Sequence, residues 1–187
     1  MIALARSSWR TAALLLFVGL GGSACASAPP IGARPLPFPG SPPQTWADHR
    51  APQIEAVTTD IVATALALRG ARYQLGGSTP QAGFDCSGFV RYVFAQASLD
   101  MPRTVAEQFH VGREVARSHV SSGDLVFFST TGPGATHVGI VVDPDARTFV
   151  HAPGTGANVR VERFDSPYWK RRMLGARRLA LTMPPAS

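Results

Sequence analysis

The sequence predicts an α+β fold in which helices come first and antiparallel strands follow. Two observations carry this. From Thr58 to Val111 the apolar residues recur at helical spacing, whereas from Leu125 to Leu179 they fall into short runs bounded by turn residues. A third observation gives the fold its centre. Cys86 opens one of the helices, directly after Asp85 and before the apolar series Phe89, Val90, Val93, Phe94 and Ala97.

Residues 1–24 read as an export signal. Arg6 and Arg10 supply a positive start, and Ala12 to Leu20 is an apolar stretch too short to stay in a bilayer as a spanning helix. Gly21-Gly22-Ser23-Ala24-Cys25 resembles a bacterial lipobox, in which Cys25 is lipidated and becomes the new N-terminus. Ordinary signal cleavage around Ala24-Cys25-Ala26 is the competing reading. Both place the protein in the cell envelope, anchored to a membrane through Cys25 or secreted. Both also remove Cys25 from a disulfide with Cys86, the other cysteine of the chain.

Residues 25–53 read as a tether. They hold eight of the 16 prolines, and such a segment favours an extended chain of ~3 Å per residue. Trp46 and His49 are read as solvated parts of it. The domain is expected over residues 54–182, with 183–187 as a tail.

Within the domain, Thr58-Thr59-Asp60 looks like a helix start and Gly70 a stop. Gly76-Gly77 permits a tight turn and close backbone approach. The cysteine helix is expected from Phe84 to about Ser98, capped by Asp85. Thr104 caps a short helix with Val105, Phe109 and Val111. Strands follow at Leu125–Phe128, His137–Val142, Thr148–Ala152 and Val159–Phe164, with a last one at Leu174–Leu179.

The chain carries a net charge of +6, and 45% of its residues are hydrophobic. The charge suits a polyanionic polymer or surface. No basic run interleaved with aromatics is present, so nucleic acid is not expected as a partner. Nothing points to an oligomer, and the chain is expected to act as a monomer.

A thiol at a helix start feels the positive end of the helix dipole, which favours the thiolate, the nucleophilic form. Such a nucleophile needs a base, and the base an orienting partner. Five histidines are present: His49 in the tether, His110 and His119 in exposed segments, and His137 and His151 on consecutive strands. If residues 143–147 form the connecting loop, Val142 faces Thr148 and His137 lies opposite Pro153. The two histidines then share one sheet face as diagonal neighbours, roughly 7–8 Å apart along the backbone. Cys86, His137 and His151 could instead bind zinc, but no Cys-x-x-Cys or His-x-x-x-His pair is present. No metal or cofactor is expected.

Six segments appear in order: Tyr73-Gln74-Leu75-Gly76-Gly77; Phe84-Asp85-Cys86-Ser87-Gly88-Phe89-Val90; Pro102-Arg103-Thr104 with Glu107-Gln108; Gly123-Asp124-Leu125-Val126-Phe127-Phe128; His137-Val138-Gly139-Ile140; and Phe149-Val150-His151-Ala152-Pro153. Together they resemble the NlpC family of papain-like cysteine peptidases, which cut bacterial peptidoglycan. The resemblance covers about residues 55–182. It implies a papain-like fold with the cysteine helix packed on the sheet, and a Cys-His-His triad. Cys86 would be the nucleophile, His137 the base and His151 the orienting residue. Tyr73 would lie beside the thiol, with Asp85 and Ser87 holding the substrate peptide. Arg103 matches the motif as either a structural ion pair or a substrate contact. The partner implied is the peptidoglycan stem peptide, cut at a γ-D-glutamyl–diamino acid or a D-alanyl–diaminopimelate bond.

Two rival readings stand beside this one. An amidase or acyltransferase could use the same Cys–His scaffold, and a catalytically inactive envelope-binding lipoprotein would need no reactive thiol.

Overall fold

The structure, a computed structural model, describes residues 46–181. The expected export signal, Cys25, most of the tether and the tail lie outside the described residues. No helix among the described residues is long and apolar enough to cross a membrane.

Helix α1 spans Trp46–Ala67, so it starts well ahead of Thr58 and takes in the last part of the expected tether, including Trp46 and His49. Pro52 lies inside it and lacks the N–H that would bond one turn back. The helix continues because the prolines thin out beyond Trp46, while alanine, the best helix former, recurs at 51, 56, 63, 65 and 67. It stops before Gly70, which has φ +89° and donates its N–H to Val159 O.

Two short strands missed by periodicity, β1 (Ser78–Thr79) and β2 (Gly83–Phe84), form a hairpin directly before the cysteine helix. Helix α2 runs Cys86–Gln96 with Asp85 as its N-cap, as the sequence predicts. Its face of Phe89, Val90, Val93 and Phe94 is buried to within 1% of full exclusion from water. Burial of each such side chain contributes about 1.5–3 kcal/mol. Helix α3 is a single turn, Val105–Gln108, closed by a capping box between Thr104 and Glu107.

The remaining chain builds a six-stranded sheet in the order β3-β8-β4-β5-β6-β7. Its strands are β3 (Arg113–Val115), β4 (Leu125–Phe128), β5 (His137–Asp143), β6 (Thr148–His151), β7 (Arg160–Arg163) and β8 (Met173–Arg178). Every pairing is antiparallel. β3 escapes periodicity because it has only three residues, two of them exposed and charged. β8 sits between β3 and β4, far from its sequence neighbour β7.

Both faces of the sheet are covered. Leu125, Phe127, Val138, Ile140 and Val150 pack with α1 and α2. On the other face, Val126, Phe128, Val141 and Phe149 pack with Trp169 of helix α4 (Pro167–Arg172), a helix the apolar spacing does not predict. Burial on two sides explains why β4 reads as an unbroken apolar run.

Candidate active site

Asp85 builds the N-terminus of α2. Its Oδ1 accepts from the N–H of Gly88 at 2.7 Å, from Arg103 Nη1 at 3.0 Å and from Ser87 Oγ at 3.3 Å. Its Oδ2 accepts from the N–H of Gly76 at 3.0 Å and from Arg103 Nη2 at 2.6 Å. Burial alone would raise this carboxyl's pKa. The Arg103 guanidinium and the two N–H groups outweigh burial and hold it below the usual range. Ser87 Oγ accepts from Arg103 Nη1 at 2.9 Å. The polar atoms of Asp85 and Ser87 are therefore committed within the protein, and the guanidinium they hold is 35% exposed. Gln108, fully buried, donates to Ser87 O at 3.1 Å and to Pro102 O at 2.8 Å, which ties α3 to the start of α2.

Cys86 is a free thiol. The backbone N–H groups of Val138, Ser87 and Cys86 itself pull the pKa of this thiol down. These groups favour the thiolate, as the helix-start argument expects. Burial and the neighbouring Asp85 charge outweigh them and push the thiol above its ordinary 9.0. The Cys86 thiol is thus protonated at pH 7. Alkylation of Cys86 by iodoacetamide should be slow at pH 7 and climb about tenfold per pH unit to pH 8. A rate that is flat from pH 5 to 8 would mean a preformed thiolate–imidazolium pair. Tyr73 stands beside the sulfur: its phenol is pushed up first by burial and then by the charges of Cys86 and Asp85.

The two strand histidines meet. His137 Nε2 and His151 Nδ1 are 2.8 Å apart, with the rings nearly perpendicular at 89°. The expected Val142–Thr148 pair does not form, since Thr148 pairs with Asp143, but toward the histidines the expected register holds, with Ile140 opposite Val150 and Val141 opposite Phe149. A bulge at Val142 shifts the pairing only beyond this point, so the histidines keep their shared face. Gly139 makes room between them: a Cβ there would fall 3.0 Å from His151 Cβ and 2.8 Å from Val150 O. Nδ1 is the ring nitrogen of His137 that His151 leaves unengaged. Sulfur and imidazole are not hydrogen-bonded to each other among the described residues, and Cys86 reaches the site through Val138, the neighbour of His137.

Burial, followed by the neighbouring His151, lowers the pKa of His137 from 6.5 to about 3. Burial also lowers that of His151, against the pull of Glu162. Both imidazoles are therefore neutral at pH 7. Between pH 3 and 6.5 the unfolded chain binds a proton at residue 137 that the folded chain refuses, so stability falls as pH drops through this window. From pH 7 to 5 the loss from His137 alone should be about 2 kcal/mol. Urea midpoints at the two pH values measure it, and His137→Gln should flatten part of the slope.

The sequence reading missed two residues here. Trp169 of α4 stacks on His137 at 5.2 Å between ring centres and stands edge-on to His151 at 5.0 Å. Glu162 of β7 lies 3.9 Å from His151 Nε2, accepts from the indole N–H of Trp169, and pairs with Arg160 Nε at 2.5 Å. The pairing of His151 with Arg160 puts Glu162 diagonally across from His151. That register depends on a loop whose geometry the sequence does not display. The expected isolation of His110 and His119 holds, since both are exposed and far along the chain from this cluster.

Among the described residues, no three of His, Cys, Asp and Glu are arranged to hold a metal ion. An apolar groove of about 930 Å³ lined by Ile54, Thr58, Leu66, Phe94 and Leu179 lies along α1, and Cys86, His137 and His151 do not line it.

Comparison with known proteins bears on this arrangement. The family model for the NlpC/P60 family matches residues 70–178. The murein DD-endopeptidase MepS/murein LD-carboxypeptidase of Escherichia coli strain K12 is 45% identical over 112 residues, covering 59% of this chain and 57% of the relative. The murein DD-endopeptidase MepH of the same strain is 36% identical over 139 residues, covering 72% of this chain and 51% of the relative. The chain thus spans about half the length of these curated relatives. The crystal structure of the NlpC/p60 domain of the peptidoglycan hydrolase SagA superposes with a TM-score of 0.57 at 32% identity, covering 65% of this chain and 98% of that one.

Proposed function

The chain belongs to the NlpC/P60 family, and we propose that it is a peptidoglycan hydrolase, a cysteine endopeptidase acting on stem peptides or crosslinks through Cys86, His137 and His151. The observation that carries this reading is the buried 2.8 Å histidine pair on the sheet, in a fold whose free thiol opens the helix packed against that sheet.

In this reading the substrate amide carbonyl settles over the start of α2. Nδ1 of His137 takes the proton of the Cys86 thiol as sulfur attacks, because both groups are neutral at rest. The carbonyl oxygen gains the negative charge and turns to backbone N–H groups at the helix start, that of Cys86 among them. Collapse of this intermediate breaks the C–N bond, and His137 returns its proton to the departing amine. A thioester remains. Water, deprotonated by His137, attacks it and releases the carboxylate product and the free thiol. His151 holds the imidazole of His137 throughout. Tyr73 walls the thiol. Asp85 and Ser87 reach the substrate through Arg103, whose partly exposed side chain suits a stem-peptide carboxylate.

The two Escherichia coli relatives are named as DD-endopeptidases. On that basis the D-alanyl–diaminopimelate crosslink is the expected bond. We place the protein in the cell envelope, acting as a monomer and tethered to a membrane through a lipid on Cys25. Digestion of defined muropeptides with mass spectrometry of the products tests this. Conversion of crosslinked dimers to monomers is the expected outcome. Cleavage beside D-glutamate would reassign the bond, and no cleavage of any stem peptide would sink the peptidase reading.

A further inference from the structure

We propose that Glu162 is a positioning residue of the site, a fourth member that fixes which nitrogen of His151 carries its proton. This rests on the Cys86–His137–His151 reading and deepens it.

His137 must present a bare Nδ1 to the thiol, so its own proton must sit on Nε2. That nitrogen faces His151 Nδ1 at 2.8 Å, which must therefore be bare and accept. His151 is then obliged to carry its proton on Nε2. This atom is buried and has no hydrogen-bond partner within normal reach. What it faces is the Glu162 carboxylate at 3.9 Å. The opposite tautomer of His151 would point a lone pair at that carboxylate and an N–H at His137. It would drive the proton of His137 onto Nδ1, where the base is blocked. One negative charge behind His151 thus selects the productive arrangement two rings away.

Glu162 is built for this. The indole N–H of Trp169 and Arg160 Nε at 2.5 Å both donate to it. The neighbouring His151 is the largest cause, and with the Trp169 and Arg160 donors it holds the Glu162 carboxyl down at about 2, so it stays charged. Around the histidine pair stand Glu162 and Arg160 on β7, Trp169 on α4, Phe128 on β4 opposite His137, and Phe149 stacked under His151 at 4.6 Å on β6. The same charge favours the imidazolium that His137 becomes during attack.

The test is ¹⁵N NMR of histidine-labelled protein at pH 7 together with steady-state kinetics. In the wild type both His137 and His151 should carry their proton on Nε2. Glu162→Gln keeps the shape and an acceptor for Trp169 but loses the charge. It should cut kcat roughly 10- to 100-fold with KM within twofold. Its His151 should shift toward the Nδ1–H form, and Glu162→Asp should recover part of the rate. A wild-type His151 protonated on Nδ1 overturns the proposal without any variant. So does a Glu162→Gln protein with unchanged tautomers, whether or not its rate falls. The NMR arm needs no substrate, so a wild type inactive on peptidoglycan but with the expected tautomers defeats the hydrolase reading and leaves this inference standing.

Discussion

Gly88→Ala is expected to leave no stably folded domain. A Cβ at this position would fall on the carbonyl oxygen of Gly77, far inside contact distance, and 3.0 Å from Asp85 Oδ1. Neither neighbour can yield. Gly77 O accepts the N–H of Asp85 at 3.1 Å, and Gly77 is itself pressed against the backbone of Gly83. Asp85 is held by five donors. Relief would require breaking the N-cap and the Arg103 ion pair together, since both rest on Asp85, and distorting the β1–β2 hairpin that holds Gly77. Each loss is of order 1–3 kcal/mol, and together they exceed about 4 kcal/mol, a large part of a typical domain's stability. Urea unfolding followed by circular dichroism measures it. Gly132→Ala is the control: nothing lies within 4 Å of its Cβ, and the change should stay within about 0.5 kcal/mol. A Gly88→Ala protein as stable as that control would mean that the α2 start is more plastic than this packing allows.

The same residues explain how much of the molecule was legible in its sequence. Asp85, Cys86 and the apolar face of α2 announce themselves, because a cap, a helix dipole and a 3.6-residue period are local features. The His137–His151 contact was legible too. A tight connection between two apolar strands fixes parity, and parity places side chains on one face. The contribution of α4 was not. Pro167–Arg172 has no amphipathic period to detect, and only the packed fold brings Trp169 onto both imidazoles. Glu162 was hidden for a related reason: it alternates on a half-exposed strand like any solvated acid. The charge state of Cys86 went the other way from the local argument. A helix start favours thiolate, but the burial and the Asp85 charge that raise the thiol depend on the packed fold. The extent of α1 was misjudged because one proline, Pro52, was grouped with the prolines before it.

The measurement that bears most directly on the whole account is product release from purified peptidoglycan by the wild type and by Cys86→Ala, at matched concentration and with matched urea midpoints. In the proposed reaction the Cys86 sulfur forms the acyl intermediate, and without it His137 loses the proton donor on which it acts. The account predicts a loss of roughly 10⁴-fold or more in Cys86→Ala, with the fold intact. Cleavage by Cys86→Ala within tenfold of the wild type would contradict it.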